Sequence, residues 1–167
     1  MAANFTVFSF LLALLQSYFL IVSPACLSCH SPWTSFGNHC YLLVMDAKRF
    51  DEAEQHCQIL SRLGRPSYLA SIMSQDENDF LVLLIKSVYG ETGKRTWFGY
   101  RLDRSSNSST WGFIDGSSSG GYTNWHGNQP DGDGDCVEFF ASAKNFLWND
   151  LHCSYKRSFI CKRPARF

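Results

Sequence analysis

The cysteines constrain this chain more than any other feature. There are seven, Cys26, Cys29, Cys40, Cys57, Cys136, Cys153 and Cys161, and they are spread almost to the C-terminus. Cys26 and Cys29 form one C-x-x-C spacing with no second such pair, so the pattern favours disulfides over a zinc finger. Six paired cysteines leave many connectivities open on count alone. Order along the chain suggests two short loops, Cys29 with Cys40 and Cys136 with Cys153, and a long tie between Cys57 and Cys161. Cys26 is then left over, and an odd cysteine in a secreted chain points to an interchain bond or a free thiol.

A disulfide framework needs an oxidising compartment, and the N-terminus agrees. The stretch "FTVFSFLLALLQSYFLIVSPAC" holds an apolar core from Val7 to Val22, then Ser23, Pro24 and Ala25. Ser23 and Ala25 suit the small-residue positions of a signal-peptidase site. The expected organisation is a signal peptide over 1–25, a single domain over 26–167 and a secreted product. The apolar run also approaches the lower length limit of a membrane span, and no Lys or Arg precedes Lys48, so an anchor is the alternative.

At 167 residues the chain suits one domain with a real core. Lys and Arg number 15 and Asp and Glu number 15, so no net field draws in nucleic acid or an anionic membrane. Lys156, Arg157, Lys162, Arg163 and Arg166 gather near the C-terminus and read as a solvated end. Of the five histidines none sits in a His-Glu-x-x-His element, and no Gly-x-Ser-x-Gly occurs. No nucleophile, base and orienting group can be named, and an enzyme is not expected.

Phe50, Ala53, Cys57 and Leu60 recur at helical spacing, with Asp46 as the expected N-cap and Gly64 as the stop. A second helix starts at "SQDE", where Ser74 and Glu77 have capping-box spacing; its apolar face runs Phe80, Leu81, Leu84, Ile85 and Val88 to Gly90. Short aromatic or β-branched runs follow: "TWFGY", "STWGFI", "CVEFF", "FLW" and "SFICK". Two helices followed by short strands predict an α+β domain with a loop-rich second half. Asn107 heads an Asn-Ser-Ser sequon in a Ser-rich stretch and is a candidate glycosylation site on a surface loop.

The segment "NWHGNQPDGDGDC" crowds oxygen-bearing side chains onto turn-forming residues. That suits either a plain surface loop or a hard cation such as calcium, which takes about six to eight oxygen ligands. Together with "PWTSFGNHCY", "FDEAEQHC", "LASIMSQDENDF", "WFGY", "WND" and "FICK", it makes the chain resemble the C-type lectin domain family from Cys29 to Lys162. The resemblance implies two helices packed on small antiparallel sheets, with a long calcium-binding loop region carrying a sugar site. It places Trp97, Gly99, Trp111, Phe113 and Trp148 in structural roles.

Carried over by position, Gln129, Asp131, Asn149 and Asp150 are the implied calcium ligands, and the implied Gln129–Pro130 bond is cis. Two amides and two carboxylates are oxygen donors of the kind calcium prefers, and the same side chains would meet two neighbouring sugar hydroxyls. Gln-Pro-Asp is the family's galactose-type arrangement, so galactose or N-acetylgalactosamine on glycoproteins or cell surfaces is the expected partner, in glycan recognition, agglutination or innate defence. Two features depart from the family. Gly134 occupies the place of a further acidic ligand, leaving Asp133 or Asp135 to substitute, with Asp133 the one chosen. No aromatic follows the motif to stack on the sugar, which leaves Trp125 and His126 just before it. Acids suited to a second calcium near Asp103 are lacking. The competing expectation is a protein- or ice-binding module on the same fold.

Overall fold

The structure, a computed structural model, describes residues 29–105, 108–118, 120–141 and 146–166; the expected signal peptide, Cys26 and Asn107 lie outside these. Strands β1 (Thr34–Phe36) and β2 (His39–Lys48) form a hairpin whose turn is closed by Gly37 at φ 52°. Helix α1 (Phe50–Ile59), strand β3 (Tyr68–Leu69) and helix α2 (Gln75–Tyr89) follow. The second half is β4 (Thr96–Asp103), β5 (Thr110–Phe113), β6 (Cys136–Ala141), β7 (Phe146–Leu151) and β8 (Arg157–Pro164). The strands join in one sheet of order β1-β2-β8-β4-β6-β7, with β3 on β8 and β5 on β4. The pairings are antiparallel except β4 with β8, which run parallel. The α+β class is as expected. The β1–β2 hairpin was not predicted, because its strands lack clean alternation.

All three disulfides have the pairing that chain order suggested: Cys29–Cys40, Cys57–Cys161 and Cys136–Cys153. The second closes a separation of 104 residues and ties α1 to β8. A loop of that size is where restricting the unfolded chain stabilises most, by about 4–5 kcal/mol in the chain-entropy account. Cys136–Cys153 holds the start of β6 against the segment after β7, and so anchors the C-terminal end of the loop that precedes β6.

The start of α1 differs from expectation. Asp46 is not its cap: β2 stays extended through Lys48, which pairs with Arg157 on β8, and Asp46 is exposed and bonded to Lys48 Nζ at 2.7 Å. The helix starts at Phe50, with Glu52 Oε2 accepting from Arg49 N at 3.1 Å. It also ends early, at Ile59, with Leu60 as its cap. Helix α2 matches: the Ser74 hydroxyl accepts from Glu77 N at 3.2 Å, and Gly90 is the C-cap at φ 76°.

Glu77 does more than complete that cap. It is buried, with Oε2 accepting from Met73 N at 2.8 Å and Oε1 taking Lys162 Nζ at 2.6 Å and the Tyr41 hydroxyl. Lys162 also donates to Ser71 O and Oγ, both at 3.1 Å. A helix, two strands and a loop therefore meet at one fully partnered ion pair. This corrects the reading of the C-terminal cations as a solvated end, since Lys162 and Arg163 are both only 7% exposed.

Aromatic packing fixes the second half. Trp97 and Trp148 are wholly buried. Trp148 Nε1 donates to Asn78 Oδ1 of α2 at 3.0 Å, so its one polar atom is satisfied inside the core. Phe98, Tyr100, Tyr122 and Trp125 ring it at centroid distances of 4.9, 5.5, 5.6 and 5.9 Å. The residues that follow Trp148, Asn149 and Asp150, are thus carried on a strand with little freedom to move.

Candidate functional site

The loop before β6 is threaded beside β7. Trp148 N donates to Asn124 O at 2.8 Å and His126 N to Trp148 O at 2.9 Å, so the chain from Asn124 to His126 runs parallel to β7 in a short bridge. A turn through Gly127 follows, closed by Gln129 N to His126 O at 2.9 Å. Trp125 is half-buried and packs edge-on against Trp111 at 5.3 Å and Trp148 at 5.9 Å. It anchors the loop. His126 is exposed beside the Phe140 ring, 5.1 Å away.

This threading brings the expected ligand residues together. The Gln129–Pro130 peptide is cis. Gln129 Nε2 donates to Asp131 Oδ2 at 3.1 Å, while its Oε1 accepts from Asp131 N at 3.0 Å. Asp150, on β7 and wholly buried, accepts Asp131 N on Oδ1 at 3.1 Å and Gly132 N on Oδ2 at 2.9 Å. Asn149 donates from Nδ2 to Asp150 O at 2.8 Å, which leaves its amide oxygen as the atom available to a ligand. Asp133 is exposed, and its N–H donates to Asp131 Oδ1 at 3.1 Å.

Gly134 and Asp135 explain the departure from the family pattern. A Cβ at Gly134 would lie 2.0 Å from Leu151 C and 2.2 Å from His152 N. The loop therefore crosses the end of β7 where no side chain fits, and an acid at that place would have to displace the backbone. Asp135 is not the substitute. It is held by Arg104 through Nε at 3.0 Å and Nη2 at 2.7 Å, and this contact keeps its carboxyl below the usual carboxylate range. Asp133 is left nearest the cluster. At Asp103, Oδ1 accepts from Ser105 N at 2.8 Å and the surrounding cleft is lined by Arg101 and Arg104, an unfavourable place for a second cation.

The electrostatics of the cluster fit a hard cation. Asp131, Asp133 and Asp150 are linked by hydrogen bonds, yet among the described residues none has a Lys, Arg or His partner. Backbone N–H groups alone face the buried Asp150 carboxylate. A buried carboxylate without a counter-charge is costly. Each oxygen has a lone pair to spare, and amide and carboxylate oxygens are the ligands calcium takes. Among the described residues no three His, Cys, Asp or Glu side chains could hold a metal by themselves; the donor set here is mixed, half of it amide.

An α+β fold held by three disulfides among the described residues, with this acid- and amide-bearing loop beside β7, is the architecture of the C-type lectin-like class of domain. The lectin C-type domain profile matches residues 46–163, and the chain belongs to that family. It is 34% identical over 133 residues to the alpha-N-acetylgalactosamine-specific lectin of Patiria pectinifera, covering 78% of this chain and 77% of that one. It is 31% identical over 163 residues to the galactose-specific lectin nattectin of Thalassophryne nattereri, covering 96% of each. Among solved structures the fold is similar to that of the C-type lectin CEL-I of Cucumaria echinata, with a TM-score of 0.72, 24% identity and coverage of 83% and 99%.

Proposed function

We propose that this protein is a secreted, calcium-dependent lectin that binds galactose or N-acetylgalactosamine on glycoproteins or cell surfaces, in glycan recognition, agglutination or innate defence. One observation carries the reading: the buried Asp150 carboxylate accepts from the Asp131 backbone N–H and has no cationic partner among the described residues, while the Gln129 side chain bonds to Asp131 and the Asn149 amide to the Asp150 backbone carbonyl. The galactose-type Gln-Pro-Asp order and the two galactose-type relatives support the sugar class.

Gln129, Asp131, Asn149 and Asp150 would hold the ion, with Asp133 replacing the acid that Gly134 excludes. A calcium ion held by these residues would take two neighbouring sugar hydroxyls as further oxygen ligands. Around it, Asp131 and Asp150 accept hydrogen bonds from hydroxyl protons, and the amides of Gln129 and Asn149 donate to hydroxyl oxygens. Exchanging the amide and the carboxylate between 129 and 131 would reverse donor and acceptor, which is how the motif selects a sugar. Trp125 borders the site but is committed to Trp111 and Trp148, so a single site without a stacking platform binds weakly. A dimer linked through Cys26 would raise avidity by about 100-fold or more where the geometry allows.

The test is retention on immobilised galactose with calcium, followed by a chelator wash. Retention and release are expected. A folded sample that flows through galactose and mannose columns alike would overturn the reading in favour of a protein- or ice-binding module.

A further inference from the structure

A second cleft, of about 470 Å³, is set between the N-terminal segment, the turn after α1 and the end of β8. Arg62, Arg65, Arg163 and Arg166 line it together with His30, and no Asp or Glu does. Among the described residues none of the four arginines is in an ion pair. β8 and β7 are separated in the sheet by β4 and β6, so this cleft and the loop at Asp150 are on different parts of the molecule.

The Arg62–Arg65 turn and the Arg163 side chain are held in place. Arg62 and Arg65 close a tight turn with reciprocal backbone hydrogen bonds of 3.0 and 2.8 Å, made possible by Gly64 at φ 69°. Like charges opposite each other in a bridge repel. Arg163 is buried, stacked on the Trp33 ring with its guanidinium carbon 3.8 Å from the centroid, and bonded through Nη1 to Leu60 O at 3.2 Å. Its Nε has no partner. Burial lowers the Arg163 pKa, and the charges of Arg65 and Arg62 lower it further. Glu77 compensates the buried Lys162; here several cations share a concavity whose lining holds no anion.

We propose that this cleft is a calcium-independent binding site for a sulfated glycan. Arginine guanidinium groups match sulfate esters through paired, charge-assisted hydrogen bonds. Trp33, Leu42 and Leu60 add apolar wall to a space within the size range of small-ligand sites. A concave, partly apolar site favours a saccharide carrying the oxyanion over a flat anionic membrane. The contrasting feature is Leu63, fully exposed at the tip of the Arg62–Arg65 turn, which a lipid surface would take up.

The experiment uses the full disulfide-bonded protein on immobilised heparin in chelator, with chemically desulfated heparin and phosphatidylserine vesicles as the other arms. The native protein should bind heparin, weaken steeply as salt rises, and ignore the desulfated polymer. Arg62→Ala with Arg65→Ala, at a surface turn, should lower heparin affinity about tenfold or more without changing the melting temperature or galactose retention. Asp150→Ala should leave heparin binding intact, which separates this site from the proposed sugar site. Equal binding of desulfated heparin, an unaffected double variant, or vesicle binding that Leu63→Ser abolishes and heparin does not compete would each overturn the proposal.

Discussion

Two buried carboxylates, Glu77 and Asp150, are resolved by this fold in opposite ways. Glu77 faces Lys162 at 2.6 Å, the Tyr41 hydroxyl and the Met73 N–H, so its charge and both of its oxygens are met by the chain itself. Asp150 is less exposed still, yet among the described residues it meets two peptide N–H groups and no cation. The first is complete and its consequences end with stability. The second has a charge deficit that something outside the chain can fill, and the residues around it are oxygen donors. Burial of an acid alone therefore does not mark a site; the absence of an internal counter-ion does.

The largest effect should come from breaking the complete pair. Lys162→Ala leaves Glu77 buried without its cation and should cost about 3–5 kcal/mol, the usual penalty for an orphaned buried charge. Denaturant melts with calcium and with chelator should show the same loss. A loss that calcium restores would mean the two regions are coupled and the contrast is false.

Asp150→Ala should act the other way round. If calcium binds as proposed, then at about one hundred times its dissociation constant it would stabilise the native protein by about 2.7 kcal/mol through mass action. The variant should lose that increment together with galactose retention. A variant that still gains stability from calcium and still binds sugar would place the ion elsewhere.

These contrasts were only partly legible in the sequence. The disulfides, the Ser74 cap, the cis Gln129–Pro130 bond and the identity of the loop follow from spacing, local chemistry and the family pattern, each of which reads along the chain. Lys162 is 85 residues from Glu77, and nothing local distinguishes it from the exposed Lys156. Asp46 has the right chemistry for a cap, but β2 pairs with β8 past it and leaves Glu52 to serve Arg49 N. Gly134 reads as one more turn residue; its role comes from the backbone of β7 passing 2.0 Å from where a Cβ would be. In each case the deciding partner arrives from another element.

Within the site, exchanging the two motif side chains should have an intermediate effect. Gln129→Glu with Asp131→Asn keeps the oxygen donors but moves the amide from one side of the loop to the other. Galactose retention should fall and mannose retention rise, a change of about tenfold in relative affinity, or about 1.4 kcal/mol. Competition by the two free sugars on one column measures it. Parallel loss of both would mean the exchange disturbs the loop instead of its preference.

The smallest effect concerns Asp135, the acid that the loop spends on Arg104. Their contact lowers the Asp135 pKa, chiefly through the hydrogen bond to Arg104 and then the attraction between the charges, against some desolvation. A carboxyl with a depressed folded value contributes stability that is present above the ordinary aspartate pKa, about 3.9, and is lost as pH falls through the lowered value. The side chains are 58% and 33% exposed, so solvent and salt screen most of the gain. Arg104→Ala should therefore shift the melting temperature only slightly at neutral pH, and the difference from the native protein should vanish in strong acid or at high salt. If Asp135 were instead a calcium ligand, releasing it from Arg104 would strengthen calcium binding. Unchanged calcium affinity in Arg104→Ala would leave Asp133 as the acid that completes the set, whereas a marked increase would return that role to Asp135.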